Sequence, residues 1–507
     1  MGGHYEKSVY NQLMDVMERL DAMESECKKS HKQIKSLNAE IKSLKNENAR
    51  LKEELADVKA QNIMLTKENA ALRKENQLLK DDNERMKRIL NNDSSNSSTP
   101  PSTDQPGNAP NTYNSRKPTK KGAGAQNGHR GSSASKADVE KKIREGVIEH
   151  RIKEIGDPQK PYITRYRLDL AIKAAATEIR IHADEDGKFH IPDEYRADVS
   201  YGSTVKAIAA FLYSEGVVAN DRICTFINSL SGDTLGISTG SIYNFCRSFG
   251  DACADIRPVI ENAILNSREV CTDATVVTTN GVQTYIRNFS TKEHVLYCSC
   301  AKKDLETLSG IKVLKEYTGT LVHDHETAAY HFGTRHGECN VHLQRYLLKN
   351  TEEAGNTWSH DMSMFLSGMN HARNERIRKG CHSFTEGQLE KYERRYDAVI
   401  AAGRAQNKKT KGRIAKKEEK ALLNRLEKYK ENHLLFLHDF AVPFSNNMSE
   451  KDLRICKNRQ KMAGGFRNEK GRQMYCDIMS FVETIKRKKL NIFQSIAALI
   501  KGTPVIQ

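Results

Sequence analysis

EVCTDATVVTTNGVQTYIRNFSTKEHVLYCSCA, residues 269–301, has the rhythm of three strands. β-branched and aromatic residues recur through it, and turn residues punctuate it. Asn280-Gly281 is the short-range signal for a two-residue hairpin between the first two runs. Thr291–His294 turns the chain into the third. A helical run follows over Asp304–Tyr317. Then come a short apolar strand, GTLVHD (319–324), and a further helix opening with HETAAYHFG (325–333).

Three antiparallel strands, a helix, and a strand beside a helix give the order expected of an RNase H-like sheet. Two acids fall at informative points: Asp273 lies inside the first strand, and Asp324 ends the fourth. An acid within a strand is costly to bury unless it is paired or metal-bound. A third, Glu450, follows a new boundary in FLHDFAVPFSNNMSEKDLR (436–454). There Pro443 and Asn446-Asn447 break the chain, and Ser449-Glu450 opens a helix with Arg454 on the same face. Three carboxylates can hold two Mg²⁺ ions about 3.5–4 Å apart, which suits phosphodiester displacement. Each acid alone reads more readily as a surface ion pair, and it is their combination with the strand order that points to a metal site. Cys339 and His342 form Cys-x-x-His after an expected fifth strand, either as two candidate ligands or as a structural pair.

Residues 13–90 carry a seven-residue apolar repeat with no stutter, Pro or Gly. Position a runs from Leu13 to Leu90, and position d from Val16 to Met86. Asn48, Asn62, Asn69, Asn76 and Asn83 stand at a, where a buried Asn pairs with its partner's Asn and favours two parallel strands. The segment therefore predicts a homodimeric coiled coil, about 115 Å long. A single long helix packed on its own protein is the alternative. From Asn91 to about Lys136 the chain turns polar and Pro-bearing, the composition of a tether. Its basic half carries Arg116, Lys117, Lys120, Lys121 and Arg130, which either neutralise phosphates or merely solvate a linker.

Residues 137–200 are mixed, with β-prone runs at Ile163–Leu168 and Glu178–His182. A helical stripe then starts at Tyr201, using Val205, Ile208, Ala209, Phe211 and Leu212. A second helix fits Asn220–Leu230, with Ile223, Phe226 and Ile227 inward. Ser238 caps a third, with Ile242, Phe245 and Phe249 inward. The set reads as a helix-turn-helix or as a plain helical triplet. The formal net charge over 507 residues is +16, which favours a polyanionic partner. No apolar run spans a membrane, and eleven scattered cysteines fit a reducing compartment rather than a disulfide scaffold.

Several segments resemble the insertion-sequence sixty-six family of transposases, TnpC type. They are KGAGAQNGHRG (121–131), YGSTVKAIAAFLYSEGVVANDRI (201–223), LGISTGSIYNF (235–245), CTDATVV (271–277), LVHDHETAAY (321–330), NNMSEKDLR (446–454) and GGFRNEKGRQMYCDIMSFVETIKRKKLNIFQSI (464–496). The resemblance implies a DDE transposase that cleaves transposon ends and transfers the 3′-hydroxyl strand to target DNA. Asp273, Asp324 and Glu450 would be its catalytic, Mg²⁺- or Mn²⁺-binding triad. It implies DNA contacts at the basic arm and at Arg454, Arg467 and Arg472, accessory transposition proteins, and a cytoplasmic, nucleoid-associated location. The chain departs from the family at Ala274 and His325. It also has no cysteine between Cys27 and Cys224, so a zinc module is not expected.

The expected architecture is α+β and multidomain. It comprises a coiled coil (1–90), a basic linker (91–136), a mixed region (137–200) and a helical DNA-binding region (201–262). An RNase H-like catalytic domain (263–348 and 432–507) is split by a helical insertion (349–431). A non-catalytic dimeric DNA-binding regulator, or a nuclease that cuts without joining, competes with this reading.

Overall fold

The computed structural model describes residues 3–90, 135–153, 155, 158–160, 163–168, 172–503 and 505–506. The chain divides into two compact units, residues 1–90 with 411–415 and the remainder. The first is built on α1 (Gly3–Leu90), one helix of 88 residues. Lys, Glu and Leu favour helix, and no Pro or later Gly interrupts them. The helix predicted by the repeat is present, and its seam faces solvent: Leu20, Leu44 and Leu65 are each more than half exposed.

In the second unit, α2 (Lys136–Arg144) starts with a reciprocal cap. The Asp138 amide donates to Ser135 Oγ, and the Ser135 amide donates to Asp138 Oδ2. The β-prone runs at 163–168 and 178–182 form no strand among the described residues. Ile163 and Ile179 are exposed there, and β propensity without a neighbouring strand does not hold an extended chain in a sheet.

Three helices follow, α3 (Ser203–Ser214), α4 (Asn220–Leu230) and α5 (Thr239–Leu265). α4 has its expected bounds and buries Ile223 and Ile227. Phe226, expected inward, lies on the flank of that stripe and is exposed. Ser238 caps α5 by accepting from the Ser241 amide at 3.1 Å. Asn228 staples the intervening turn, with Nδ2 donating to the Ile237 carbonyl and Oδ1 accepting from its amide. α5 runs far beyond the predicted segment and passes through Pro258 without ending.

The sheet has five strands in the order β3-β2-β1-β4-β5. β1 (Glu269–Thr279), β2 (Val282–Ser290) and β3 (Val295–Cys300) form an antiparallel meander. Asn280 and Gly281 both adopt positive φ, 50° and 77°, as the two-residue turn requires. The expected helix over 304–317 is instead two short ones, α6 (Leu305–Ser309) and α7 (Lys312–Glu316), because the chain turns at Gly310-Ile311. β4 (Thr320–His323) lies parallel to β1, and β5 (Arg335–Glu338) parallel to β4. Between them, a 3₁₀ turn at Thr327–His331 stands where a longer helix was expected.

A helical block comes next: α8 (Asn340–Ala354), α9 (Thr357–Arg378), α10 (Glu386–Asn407), α11 (Arg413–Lys428) and α12 (Lys430–His438). It starts before, and ends after, the predicted insertion at 349–431. Trp358, Tyr396, Leu423 and Leu426 are wholly buried in its own core. Trp358 Nε1 donates to Glu419 Oε1 at 2.6 Å. Gly403 faces this tryptophan: a Cβ there would meet Leu423 Cδ2 at 2.6 Å and Trp358 Cδ2 at 2.9 Å. Gly403→Val should therefore lower unfolding free energy by about 1–3 kcal/mol through overpacking. Denaturant titration checks this, and an unchanged midpoint would refute it.

α13 (Asn447–Ala463), α14 (Glu469–Arg487) and α15 (Ile492–Ile500) return to the sheet. α14 closes the β3 edge. Ser480 Oγ accepts from the Tyr297 amide at 2.8 Å, and Thr484 Oγ1 from the Val295 amide at 3.1 Å. Edge amides that could recruit another strand are thereby satisfied. No described helix is long and apolar enough to cross a membrane.

Candidate metal centre

Parallel pairing brings the first two acids together. Cys271 of β1 is level with Val322 of β4. Two residues further along each chain stand Asp273 and Asp324. Burial, and next the charge of Asp324, push the Asp273 carboxyl up to about 6. Asp273 Oδ1 accepts from the Ala274 amide at 2.7 Å. Lys303 Nζ, donating to the Ala274 carbonyl at 3.0 Å, supplies a nearby positive charge.

Glu450 enters from the first turn of α13. His342, near the start of α8, stands between it and Asp324. Nδ1 is 3.3 Å from Asp324 Oδ2 and 3.5 Å from Glu450 Oε1. Asp324, then Cys339, push the imidazole pKa up to about 10. Cys339 lies just before α8, with Sγ accepting from the Asn446 amide at 3.2 Å. One donor atom from each of Asp324, Cys339, His342 and Glu450 lies within 4.8 Å of the others. Asp273 lies outside that quartet.

Asp324 Oδ1, Glu450 Oε1 and His342 Nδ1 are buried without a hydrogen bond, the imidazole meeting the acids only through the two ion-pair contacts above. Buried polar atoms are ordinarily satisfied, so three orphans around one point fit a cation. The carboxylate oxygens suit Mg²⁺ or Mn²⁺. The imidazole and thiol also admit softer ions, which the acids alone do not suggest. Cys339 and His342 were visible as a spaced pair, but only the β4–β5–α8 connection brings them to the acids.

Buried side chains that strand patterning did not single out brace the acids. Asn288, level with Asp273 on β2, accepts from the Asp273 amide at 3.2 Å and from Ser449 Oγ at 2.5 Å, and donates to the Ser449 carbonyl. It thus ties β1 to the residue before Glu450. Asn446 Nδ2 donates to the Thr272 carbonyl at 2.9 Å. Arg287 donates to Thr272 Oγ1 at 3.1 Å and to both oxygens of Glu326 at 2.6 Å. For Arg287 and Asn288 the one sequence signal is their being an adjacent polar pair in the middle of an otherwise β-prone strand, and Asn446 shows only as part of the chain break before Glu450.

The expected DNA contacts divide into three groups. Arg454 and Arg467 are exposed. Arg472 is buried instead, with Nε donating to Ser299 Oγ at 2.5 Å and Nη1 to Thr279 Oγ1 at 3.1 Å, so its guanidinium is occupied inside the fold. Arg116, Lys117, Lys120, Lys121 and Arg130 lie outside the described residues.

A mixed sheet with one acid inside β1, a second just past the end of β4 and a third delivered by a helix defines an α+β protein with a candidate cation centre. The chain belongs to the transposase IS66 family, whose family model matches residues 200–474. This supports a role as a transposase, with the DNA binding that the family implies. No curated relative matches the chain.

Proposed function

We propose that the protein is a DDE transposase that cleaves transposon ends by hydrolysis and then joins the 3′-hydroxyl to target DNA. Asp273, Asp324 and Glu450 are its metal-binding acids, on an RNase H-like sheet. The observation that carries this is the group of orphaned atoms on Asp324 and Glu450, two acids brought together from distant segments. Mg²⁺ or Mn²⁺ held there would activate the attacking oxygen and stabilise the departing one. The chain's own contribution is to hold the acids in place beforehand through Asn288, Asn446 and Arg287. Arg454 and Arg467, with the basic arm, contact DNA phosphates.

Precut terminal DNA bearing a free 3′-hydroxyl tests the reading. Strand-transfer product in Mg²⁺ or Mn²⁺ is expected. Cleavage of uncut ends without joining would favour a nuclease, and DNA binding with neither reaction a regulator. Deleting residues 116–130 should flatten the dependence of log affinity on log salt, by about 0.9 for each phosphate that the arm neutralises. An unchanged slope would make the arm a plain tether.

The α1 seam supports a parallel homodimer, because an exposed leucine row punctuated by Asn is stable only when covered. Removing residues 1–90 should yield monomers in sedimentation. A surviving dimer would place the dimer interface elsewhere. We assign the protein to the cytoplasm, at the nucleoid, working with accessory transposition proteins.

A further inference from the structure

Asp324 is followed by a residue in an unusual conformation. His325 has φ +64°, a left-handed backbone uncommon for a non-glycine residue. Its ring meets Glu338, the last residue of β5, level with His323 of β4. The Glu338 side chain is wholly buried. His325 Nδ1 donates to Glu338 Oε1 at 2.8 Å, and the Tyr330 hydroxyl donates to the same oxygen. The other oxygen faces the helical block, accepting from Arg425 Nη2 of α11 at 2.5 Å and from His433 Nε2 of α12 at 3.2 Å. His433 Nδ1 in turn lies 3.1 Å from the hydroxyl of Tyr396, which is buried in the block's core. A continuous buried polar chain therefore runs from the interior of the helices between Asp324 and Glu450 to the residue beside Asp324.

We propose that Glu338 is a positioning residue: it locks His325 in its left-handed conformation, aims Asp324 at the metal site, and makes that aim depend on how α11 and α12 sit. A buried carboxylate with donors on both oxygens has little freedom, so a movement of either helix is passed to His325 rather than absorbed. Arg425 and His433 thus influence cation binding without touching the cation. The inference rests on the reading of Asp324 as a metal ligand.

The test is Mn²⁺ binding to the full-length protein, read as loss of the free-ion spin-resonance signal. Asp324→Asn is the control for the ligand reading: if it leaves Mn²⁺ affinity unchanged, that reading falls. With the control behaving as expected, Glu338→Gln should weaken Mn²⁺ binding about tenfold, the scale seen when the support around a metal ligand is removed. His325→Gly removes the ring but accepts the same φ without strain. In that background Glu338→Gln should cost little more, because the route to Asp324 is already cut. Independent effects that simply multiply would overturn the proposal, as would wild-type Mn²⁺ affinity in Glu338→Gln. If Glu338→Gln does not fold, Arg425→Gln takes its place in the same cycle, with the same non-additivity expected and the same two outcomes fatal. A residue that merely stabilised the fold would shift the melting temperature in both backgrounds, with no coupling to His325 in Mn²⁺ affinity.

Discussion

Asp324→Asn should reduce strand cleavage and strand joining on the order of a thousandfold while leaving the fold intact. Losing one ligand of a catalytic cation removes several kcal/mol of charge stabilisation from the transition state, and each 1.36 kcal/mol is worth tenfold in rate. The fold is spared for a local reason. Asp324 Oδ1 has no hydrogen-bond partner and Oδ2 meets only His342, so an amide of the same size fits where the carboxylate stood at the cost of that one contact. The negative charge that raises the Asp273 pKa also disappears. Gel assays of end cleavage and of precut-end joining would read the loss, and circular dichroism melts would show the intact fold. Joining at more than a few per cent of the wild-type rate would remove Asp324 from the chemistry. A collapsed melting transition would show that the carboxylate is structural instead.

Much of the sheet was legible because its signals are local. Asn280-Gly281 can adopt two consecutive positive φ angles, and the flanking β-branched runs pair directly across that turn. The placement of Asp273 inside β1 and of Asp324 just past β4 follows from that pattern. α4 was legible from its stripe, since Ile223 and Ile227 must share a buried face. What failed depends on tertiary context. The residues after Asp324 have helical composition, yet His325 takes a left-handed turn and the chain forms only a 3₁₀ segment. Arg472 reads as surface charge in any linear scan. Only the approach of α14 to β1 and β3 shows that Thr279 and Ser299 accept its guanidinium. Cys339 and His342 looked like an isolated pair because their relation to Glu450 spans the entire helical block. Spacing along the chain carries no information about closure across such a gap, so Asp324 and Glu450 stood out as acids while their grouping with an imidazole and a thiol did not.

Arg287→Met should destabilise the protein by about 3 kcal/mol, measured as the change in unfolding free energy by denaturant titration. The Arg287 side chain is 1% exposed, and its partner Glu326 is 22% exposed. Methionine fills much of the space but leaves the Glu326 carboxylate facing a low-dielectric interior, and deprives Thr272 Oγ1 of its donor. Glu326 is partly solvated, so the cost belongs at the lower end of the range for broken buried pairs. Arg287→Met combined with Glu326→Gln should recover part of the loss, because the stranded charge is then gone. If the double variant is as unstable as the single one, the damage comes from packing rather than from the unpaired carboxylate. The pair itself is a costly way to stabilise a sheet: the Arg287 charge is desolvated, and its Nε has no partner. Its position explains its presence better than its strength does. One end holds the residue before Asp273, and the other holds the residue two places after Asp324. The charge-neutral double variant should therefore regain stability without regaining full strand transfer, separating what the arginine does for folding from what it does for the placement of the acids.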